Sequence, residues 1–222
     1  MNVLLSGVVG SRAYGLGTPE SDIDRLGIFA EPTRNLLGLV SPKESHVTSK
    51  PDTTFHEARK AARLMLSGNP TVTELLWLDH HEKLSPLGGE LLSIRTAFLS
   101  AQRVRDAYLG YAASQFKRLR DRSDGSFSSG TRKRTEKHAR HLVRLLQQGV
   151  QLYSTGQLTV RLDDPDAVRR MGSDIAEHPV RGEELIATTG RAFDGKTVLP
   201  EQADVKTVEA WLQKVRAHYY TP

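Results

Sequence analysis

The chain has 222 residues, of which 38% are hydrophobic and 26% are charged, and it contains no cysteine. This composition is typical of a globular protein with one domain or two small ones, and it excludes a disordered chain. The missing cysteine excludes disulfides, a thiolate nucleophile and a cysteine-type zinc site, and it favours a cytoplasmic location. No apolar run approaches the roughly 20 residues of a membrane helix. We therefore expect no membrane partner.

The net charge of the chain is +5 and its pI is about 9.5, which favours an anionic partner. The charge is unevenly spread: basic residues crowd residues 103–144, whereas the stretch around residues 20–24 is locally acidic. This asymmetry fits an enzyme that has an acidic metal site and a basic substrate groove.

Two predicted strands, residues 2–9 and 22–30, are joined by a loop rich in Gly, Thr and Pro. Successive side chains of a strand point to opposite faces, so Asp22 and Asp24 would share one face. Two carboxylates on one face repel each other unless a cation lies between them. Mg²⁺ usually takes one or two carboxylates and fills its remaining positions with water and substrate phosphates. This pair therefore predicts a metal site.

Gly10-Ser11 stands at the other end of the same loop. A glycine lets the backbone approach a ligand closely, and the N–H groups of a turn that leads into a helix can hold phosphate oxygens. A phosphate cradle and a pair of metal-binding carboxylates, joined by one short loop, together predict a site for a metal–nucleotide complex.

The order Gly10-Ser11, ten residues, then Asp22-Ile23-Asp24 resembles the signature of the DNA polymerase β-like nucleotidyltransferase superfamily, in the spacing of its minimal members. Further detail resembles a group of predicted bacterial and phage nucleotidyltransferases. Motifs of that group are matched by Tyr14-Gly15, residues 21–27, residues 69–77 and residues 137–146. The resemblance implies an α+β fold. Its parts are a nucleotidyltransferase core with a small mixed β-sheet and flanking helices, residues 1–95, and a mainly helical C-terminal region, residues 96–222.

The resemblance also implies a reaction, in which the enzyme moves a nucleotidyl group from an NTP bound to Mg²⁺ onto an acceptor hydroxyl and releases pyrophosphate. The acceptor stays open between the end of an RNA or tRNA, a protein Tyr or Ser, and a small molecule. The basic helices favour nucleic acid as the acceptor. The alternative is a non-catalytic module on the same fold that binds a nucleotide or nucleic acid. The preferred NTP and the oligomeric state are left open.

The superfamily expects a third carboxylate on a strand beside the first pair. A strand over residues 45–55, interrupted by Pro51, is predicted, and Asp52 occupies the matching place before the next helix. Asp22, Asp24 and Asp52 are thus the predicted catalytic and metal-binding residues. They would hold two Mg²⁺ ions, with Mn²⁺ as the other candidate ion. Glu57 is the second choice for the third carboxylate, and a helix cap is the other interpretation of Asp52.

The clearest helix is predicted over residues 131–155, after a Ser/Gly-rich loop at 121–131 that could serve as a lid or acceptor-binding loop. Lys137, His141 and Arg144 lie on one face of this helix, together with Gln148. The resemblance assigns this face to holding the triphosphate or an acceptor phosphate, along with Gly10 and Ser11. A solvated polar surface is the other interpretation.

Several local predictions complete the pattern. A helix is expected over residues 56–67, and Leu36, Leu37 and Leu39 are expected to pack inward. Either Asn69 caps a helix with Pro70 at its first position, or Thr71 and Glu74 form a capping box. Glu74 is alternatively a residue that touches the site. Toward the C-terminus we expect a strand at 158–162, helices beginning at Pro165 and near Glu183, and a last helix around 205–219.

Overall fold

The computed structural model describes residues 1–121 and 129–221. By its internal contacts the chain forms two compact units, Met1–Ser100 with Gln202–Pro222, and Ala101–Glu201. The contacts therefore group the last residues of the chain with the first unit. The division into residues 1–95 and 96–222 stays a prediction about domains. Most of the predicted loop at 121–131, residues 122–128, lies outside the described residues.

The first unit is built on a five-stranded sheet whose strand order is β3-β4-β2-β1-β5. Strands β2 and β4 pair in parallel, and the other neighbours are antiparallel. The mixed sheet with a helical region after it confirms the predicted α+β fold. The strands are β1 (Asn2–Val9), β2 (Asp24–Ala30), β3 (Ser45–Ser49), β4 (Asp52–Glu57) and β5 (Lys83–Leu84).

Some of the helices belong to the first unit together with this sheet, and the others make up the second unit. Two short 3-10 turns, Glu74–Trp77 and Arg95–Phe98, lie in the first unit. Within the described residues no helix combines the length and the apolar character that crossing a membrane requires. The helices are α1 (Gly10–Ala13), α2 (Thr33–Leu36), α3 (Ala58–Leu66), α4 (Pro70–Thr73), α5 (Pro86–Ser93), α6 (Ala101–Arg120), α7 (Ser129–Thr155), α8 (Pro165–Glu177), α9 (Pro179–Ala192) and α10 (Val205–His218).

Strands β1 and β2 form the buried centre of the sheet, as their apolar runs predict. Leu4, Leu5 and Ile28 are completely buried. The predicted strand over residues 2–9 is confirmed with the same bounds. The second strand begins two residues later than predicted, since β1 ends at Val9, whose partner across the ladder is Asp24.

The prediction of one interrupted strand over residues 45–55 is wrong. Strands β3 and β4 form an antiparallel hairpin in which Ser49 pairs with Asp52, and Pro51 lies in the connection between them after a cis peptide bond. Proline lacks the N–H that a ladder needs, so it is accommodated in the turn. Asp52 therefore begins a strand, and its interpretation as a helix cap is wrong.

Helix α3 begins at Ala58 rather than at residue 56, because residues 56 and 57 still belong to β4. Its cap is the side chain of Glu57, which accepts a hydrogen bond of 2.8 Å from the backbone N–H of Arg59. Helix α4 is capped by Asn69, whose side chain accepts from the N–H of Val72. This confirms the Asn69-Pro70 alternative and excludes the capping box.

Of Leu36, Leu37 and Leu39, which the sequence predicts to pack inward, Leu36 is partly buried, and the prediction is wrong for Leu37 and Leu39. Their side chains are exposed, Leu37 by 72% and Leu39 fully. Helix α2 ends after a single turn at Leu36, so the residues that follow share no buried helical face with it.

The second unit contains α6 to α9, and α6 and α7 are its longest helices. Two contacts show that α6 and α7 run antiparallel: Nδ1 of His138 lies 2.8 Å from Oε1 of Gln115, and Gly149 packs against Tyr108. The predicted helices at 131–155, after Pro165 and near Glu183 are confirmed.

The strand expected at 158–162 does not form. Side-chain amides of α7 hold this segment instead of a neighbouring strand. The amide nitrogen of Gln148 donates to the carbonyl oxygens of Thr159 and Val160, at 3.1 Å each. The backbone groups that would have formed a ladder are thus bonded by a helix, which apolar alternation in the sequence does not reveal.

Helix α10, confirmed close to its predicted bounds, is fastened to the sheet by a buried ion pair. Glu57 is 2% exposed, and its two carboxylate oxygens accept from the guanidinium of Arg216 at 2.6 and 3.0 Å. Glu57 lies at the far end of β4 from Asp52, about 16 Å away along the strand. Glu57 is thus a structural anchor, and its place as a second choice for the third carboxylate is not supported.

We expect Arg216→Met to lower the free energy of unfolding by about 3 kcal/mol, because it leaves the carboxylate of Glu57 buried without its charged partner. Urea unfolding measures this loss. Lys214→Met is the matched control, since it removes an exposed partner of Glu90 and should cost less than about 1 kcal/mol. Equal losses in the two variants would contradict the importance of the buried pair.

Candidate active site

The candidate site begins at the turn that ends β1. Gly10 has a φ of +72°, which favours glycine, and it directly follows Val9, the ladder partner of Asp24. A Cβ atom at position 10 would lie 2.2 Å from Oδ2 of Asp24. Glycine is therefore required here both by the backbone angle and by the close approach of the carboxylate, and the turn lies directly against Asp24.

The backbone of the following residues closes the turn over α1. The carbonyl oxygen of Ser11 accepts from the N–H groups of Leu16 and Gly17 at 2.9 and 2.8 Å, and the carbonyl of Gly10 accepts from the N–H of Tyr14. The first N–H groups of a helix have no acceptor within the helix. The carbonyl oxygens of Gly10 and Ser11 are therefore bonded within the turn. The first N–H groups of α1 are suited to binding an anion.

Asp22 is held by the loop and not by the sheet. Because β2 begins at Asp24, the alternation of strand side chains does not extend to Asp22, and the same-face argument for this pair is wrong. Instead the guanidinium of Arg12 donates to the carbonyl of Ser21 at 2.7 and 3.1 Å and to that of Pro19 at 3.3 Å. Arg12, which the sequence did not single out, thus ties the exposed Asp22 segment to α1.

Asp52 lies at the same end of the sheet as Asp24. In the parallel pair β2/β4, Arg25 is in register with Thr53, and the two aspartates each stand one residue earlier. Neighbouring strands are about 4.8 Å apart and in-register residues share a face. Gly10, Ser11, Asp24 and Asp52 are therefore gathered at one end of the sheet, with Asp22 on the adjoining loop.

The donor set at this end suits a hard divalent ion completed by a ligand. Among the described residues no three Asp, Glu or His side chains form a group that could hold a metal by themselves. Mg²⁺ rarely needs such a cage, because it commonly uses one or two carboxylates and takes phosphate oxygens from its substrate. Because Gly10 has no side chain, the turn with its N–H groups lies against the Asp24 carboxylate. This arrangement fits an ion that is held by a carboxylate and by the phosphate oxygens of a substrate.

Tyr14 and Glu74 form a buried pair next to the turn, and the sequence did not indicate that these two residues contact each other. The hydroxyl of Tyr14 donates to the Glu74 carboxylate, with its oxygen 2.7 and 2.9 Å from the two carboxylate oxygens, and the residues are 3% and 1% exposed. A hydrogen bond to a buried carboxylate is stronger than one between neutral groups. Glu74, which the sequence left open between a cap and a site residue, therefore anchors the residue that ends α1. The one sequence signal for this pairing is that Tyr14 and Glu74 both lie in motifs that resemble the same family.

Tyr14→Phe should lower the free energy of unfolding by about 1–3 kcal/mol, because Glu74 stays buried and loses a hydrogen bond. Thermal or urea unfolding measures the change. Tyr220→Phe serves as the control, since Tyr220 is 51% exposed and should keep the wild-type stability. A Tyr14→Phe protein as stable as wild type would show that the pair does not anchor the turn.

The other predicted nucleotide-binding residues lie in the second unit, on α7. Lys137 is exposed, His141 is partly buried, and Arg144 is 4% exposed with its guanidinium donating to Oε1 of Gln148 at 2.7 Å. Burial, followed by the nearby charges of Arg144 and Lys137, lowers the pKa of His141 to about 3. The imidazole is therefore neutral near pH 7.

The depressed pKa of His141 predicts a loss of stability in acid. Above about pH 6.5 the imidazole is neutral in both states, and between there and about pH 3 only the unfolded chain binds the proton. This group should lower the free energy of unfolding by up to about 1.4 kcal/mol per pH unit as the pH falls through that window. Urea unfolding of wild type and His141→Gln at several pH values tests this. Parallel pH profiles of the two proteins would contradict the shift.

The fold and the turn against Asp24 define a class of protein, the polymerase β-like nucleotidyltransferases. Comparison with known families matches residues 1–213 to the RlaP family, described as an RNA repair pathway DNA polymerase beta family. The chain belongs to this family, which confirms the resemblance that its sequence shows. A search of the curated proteins found no match. The family indicates a nucleotidyltransferase role in an RNA repair pathway, with a nucleotide substrate and nucleic acid involved.

Proposed function

We propose that this protein is a metal-dependent nucleotidyltransferase that moves an NMP group from an NTP to a hydroxyl at an RNA end. The observation that carries the proposal is the Gly10 turn lying directly against the carboxylate of Asp24. Membership of an RNA repair family supports RNA over a protein or small-molecule acceptor. A cytoplasmic location stays a prediction that the cysteine-free composition favours.

Each residue at the end of the sheet has a role in this proposal. The backbone N–H groups of Gly10 and Ser11 bind the β- and γ-phosphates of the nucleotide. Asp22 and Asp24 hold the divalent ion, Mg²⁺ in the first place and Mn²⁺ as the other candidate, and Asp52 completes a second ion position. When bound, such a pair of ions stabilises the attacking and leaving oxygens of an in-line displacement.

The reaction forms a bond between the acceptor oxygen and the α-phosphorus and breaks the bond from that phosphorus to the bridging oxygen, so that pyrophosphate leaves. Asp52 takes the proton of the acceptor hydroxyl. Positioning of the phosphates by the Gly10 turn and of the acceptor by Asp52 provides much of the rate, as in other phosphoryl transfers. The Arg12 and Tyr14 contacts keep the turn and its loop in place for this step.

Lys137 and Arg144 are proposed to bind phosphate oxygens, either of the triphosphate or of the acceptor. Arginine binds phosphate through two parallel hydrogen bonds, and lysine does so as a point charge. His141, being neutral near pH 7, contributes a hydrogen bond rather than a charge.

The second candidate function is a non-catalytic module that binds a nucleotide or nucleic acid on the same fold. The arrangement of Asp24 beside Gly10, with Asp52 at the same end of the sheet, favours the enzyme, because binding alone does not require carboxylates there. A Mg²⁺-dependent pyrophosphate-release assay with each NTP and RNA separates the two. Wild-type protein that binds NTP or RNA without turnover would support the module.

We expect Asp24→Asn to reduce the rate of nucleotidyl transfer at least about a hundredfold, because the neutral amide removes charge stabilisation where the reaction develops charge. The far-ultraviolet circular dichroism and the unfolding midpoint should stay as in wild type. The rate of pyrophosphate release is the measurement.

Asp163→Asn is the control for this change, because Asp163 is an exposed carboxylate of the second unit. It should transfer nucleotide at the wild-type rate. An Asp24→Asn protein with unchanged turnover would contradict the assignment of Asp24 as a catalytic and metal-binding residue.

A further inference from the structure

The positive charge of this protein is concentrated in one helical hairpin. Residues 101–144 contain twelve Lys and Arg and four Asp and Glu, whereas the whole chain contains 31 and 26. The rest of the chain therefore carries a small negative charge. A charge imbalance this local is not the mixed pattern of an ordinary solvated surface.

The antiparallel packing of α6 and α7 brings several of these cations to one end. Gln115 lies opposite His138, so the residues that follow Gln115 on α6 lie opposite those that precede His138 on α7. Lys117 and Arg118 are exposed on α6, and Lys133 and Arg134 are exposed on α7. We call these four residues the hairpin cluster.

Within the described part of the chain, the members of the hairpin cluster have no acidic partner. Among the described residues no ion pair joins any of its four members to an Asp or Glu, whereas the neighbouring Arg132 pairs with Glu136 and Glu177. Four cations at one end of a helix pair repel each other, which costs stability unless an anionic partner offsets it.

The chemistry of the hairpin cluster fits a polyanion without an apolar part. Amphipathic helices that lie on membranes expose large apolar side chains beside their cations. Here Phe116 and Leu119 are buried, and Tyr111, at 38%, is the one exposed large hydrophobic residue recorded for this hairpin within the described residues. A phosphate backbone is bound by positive charge and hydrogen-bond donors, without apolar side chains.

We propose that the hairpin cluster binds the phosphate backbone of the RNA acceptor. The identification of RNA as the acceptor rests on the proposed function, and the location of the binding surface rests on the charges and the helix register. Contacts of this kind give affinity and position an RNA without selecting its sequence. The cluster would therefore hold the RNA strand, and the choice of the reacting end would fall to other residues.

The test is the salt dependence of binding to a fluorescein-labelled single-stranded oligouridylate, measured by anisotropy without NTP and with EDTA. The variant carries Lys117→Gln, Arg118→Gln and Lys133→Gln. Losing three phosphate contacts should lower the slope of log Kd against log salt by about 2 and weaken binding at 100 mM salt by more than about tenfold.

The matched control carries Arg161→Gln, Arg191→Gln and Lys196→Gln, three exposed cations of the same unit outside the hairpin. It removes the same charge and should keep the wild-type slope. Unchanged binding in the hairpin variant, or an equal loss in both variants, would overturn the proposal. So would a wild-type protein that binds phosphatidylserine vesicles but not the RNA.

These experiments distinguish failure of the RNA-binding proposal from failure of the proposed nucleotidyl transfer. A wild-type protein that binds RNA through the hairpin cluster but transfers no nucleotide would overturn the proposed enzyme and leave the RNA surface in place. A wild-type protein that transfers nucleotide, together with a hairpin variant that binds RNA normally, would support the proposed enzyme and overturn the RNA surface.

Discussion

The close contact between Gly10 and Asp24 is the constraint on which the first unit depends. The turn can lie against the carboxylate only because position 10 has no side chain and adopts a positive φ. It also fixes where the sheet stops, since Val9 is the last residue of β1 and pairs with Asp24. One glycine thus sets both the end of the sheet and the position of a carboxylate relative to the backbone N–H groups.

A buried hydrogen bond and several exposed ones hold this arrangement in place. The Tyr14 hydroxyl reaches a carboxylate that is almost inaccessible to solvent, and Arg12 bonds the carbonyls of the loop before Asp22. Glu57 and Arg216 make a similar buried connection between the sheet and the last helix. A buried carboxylate is tolerated when its hydrogen bonds are satisfied, and it then restricts the chain to one arrangement.

The second unit uses charge differently. Its helices bury their apolar faces and expose many cations, but on α7 the side chain of Arg144 is buried and that of His141 is partly buried. Burial disfavours the charged imidazole and lowers the pKa of His141, so this residue is neutral near pH 7. The exposed end of the same helix pair is where the positive charge of the chain accumulates.

The sequence by itself determined the strands of the sheet centre, the long helix of the second unit, the glycine–serine turn and the family. The strands and the helix follow from apolar periodicity, and the turn follows from residue types that few backbones accept; both signals are local. The family is indicated by the resemblance of the motif around Gly10 and Asp24. Only the tertiary structure decided that β3 and β4 form a hairpin, that Asp52 begins a strand level with Asp24, and that Glu57 serves Arg216. It also decided that Glu74 belongs with Tyr14, sixty residues earlier. Such pairings depend on which distant segments pack together, and a residue's own neighbours in sequence carry no record of that.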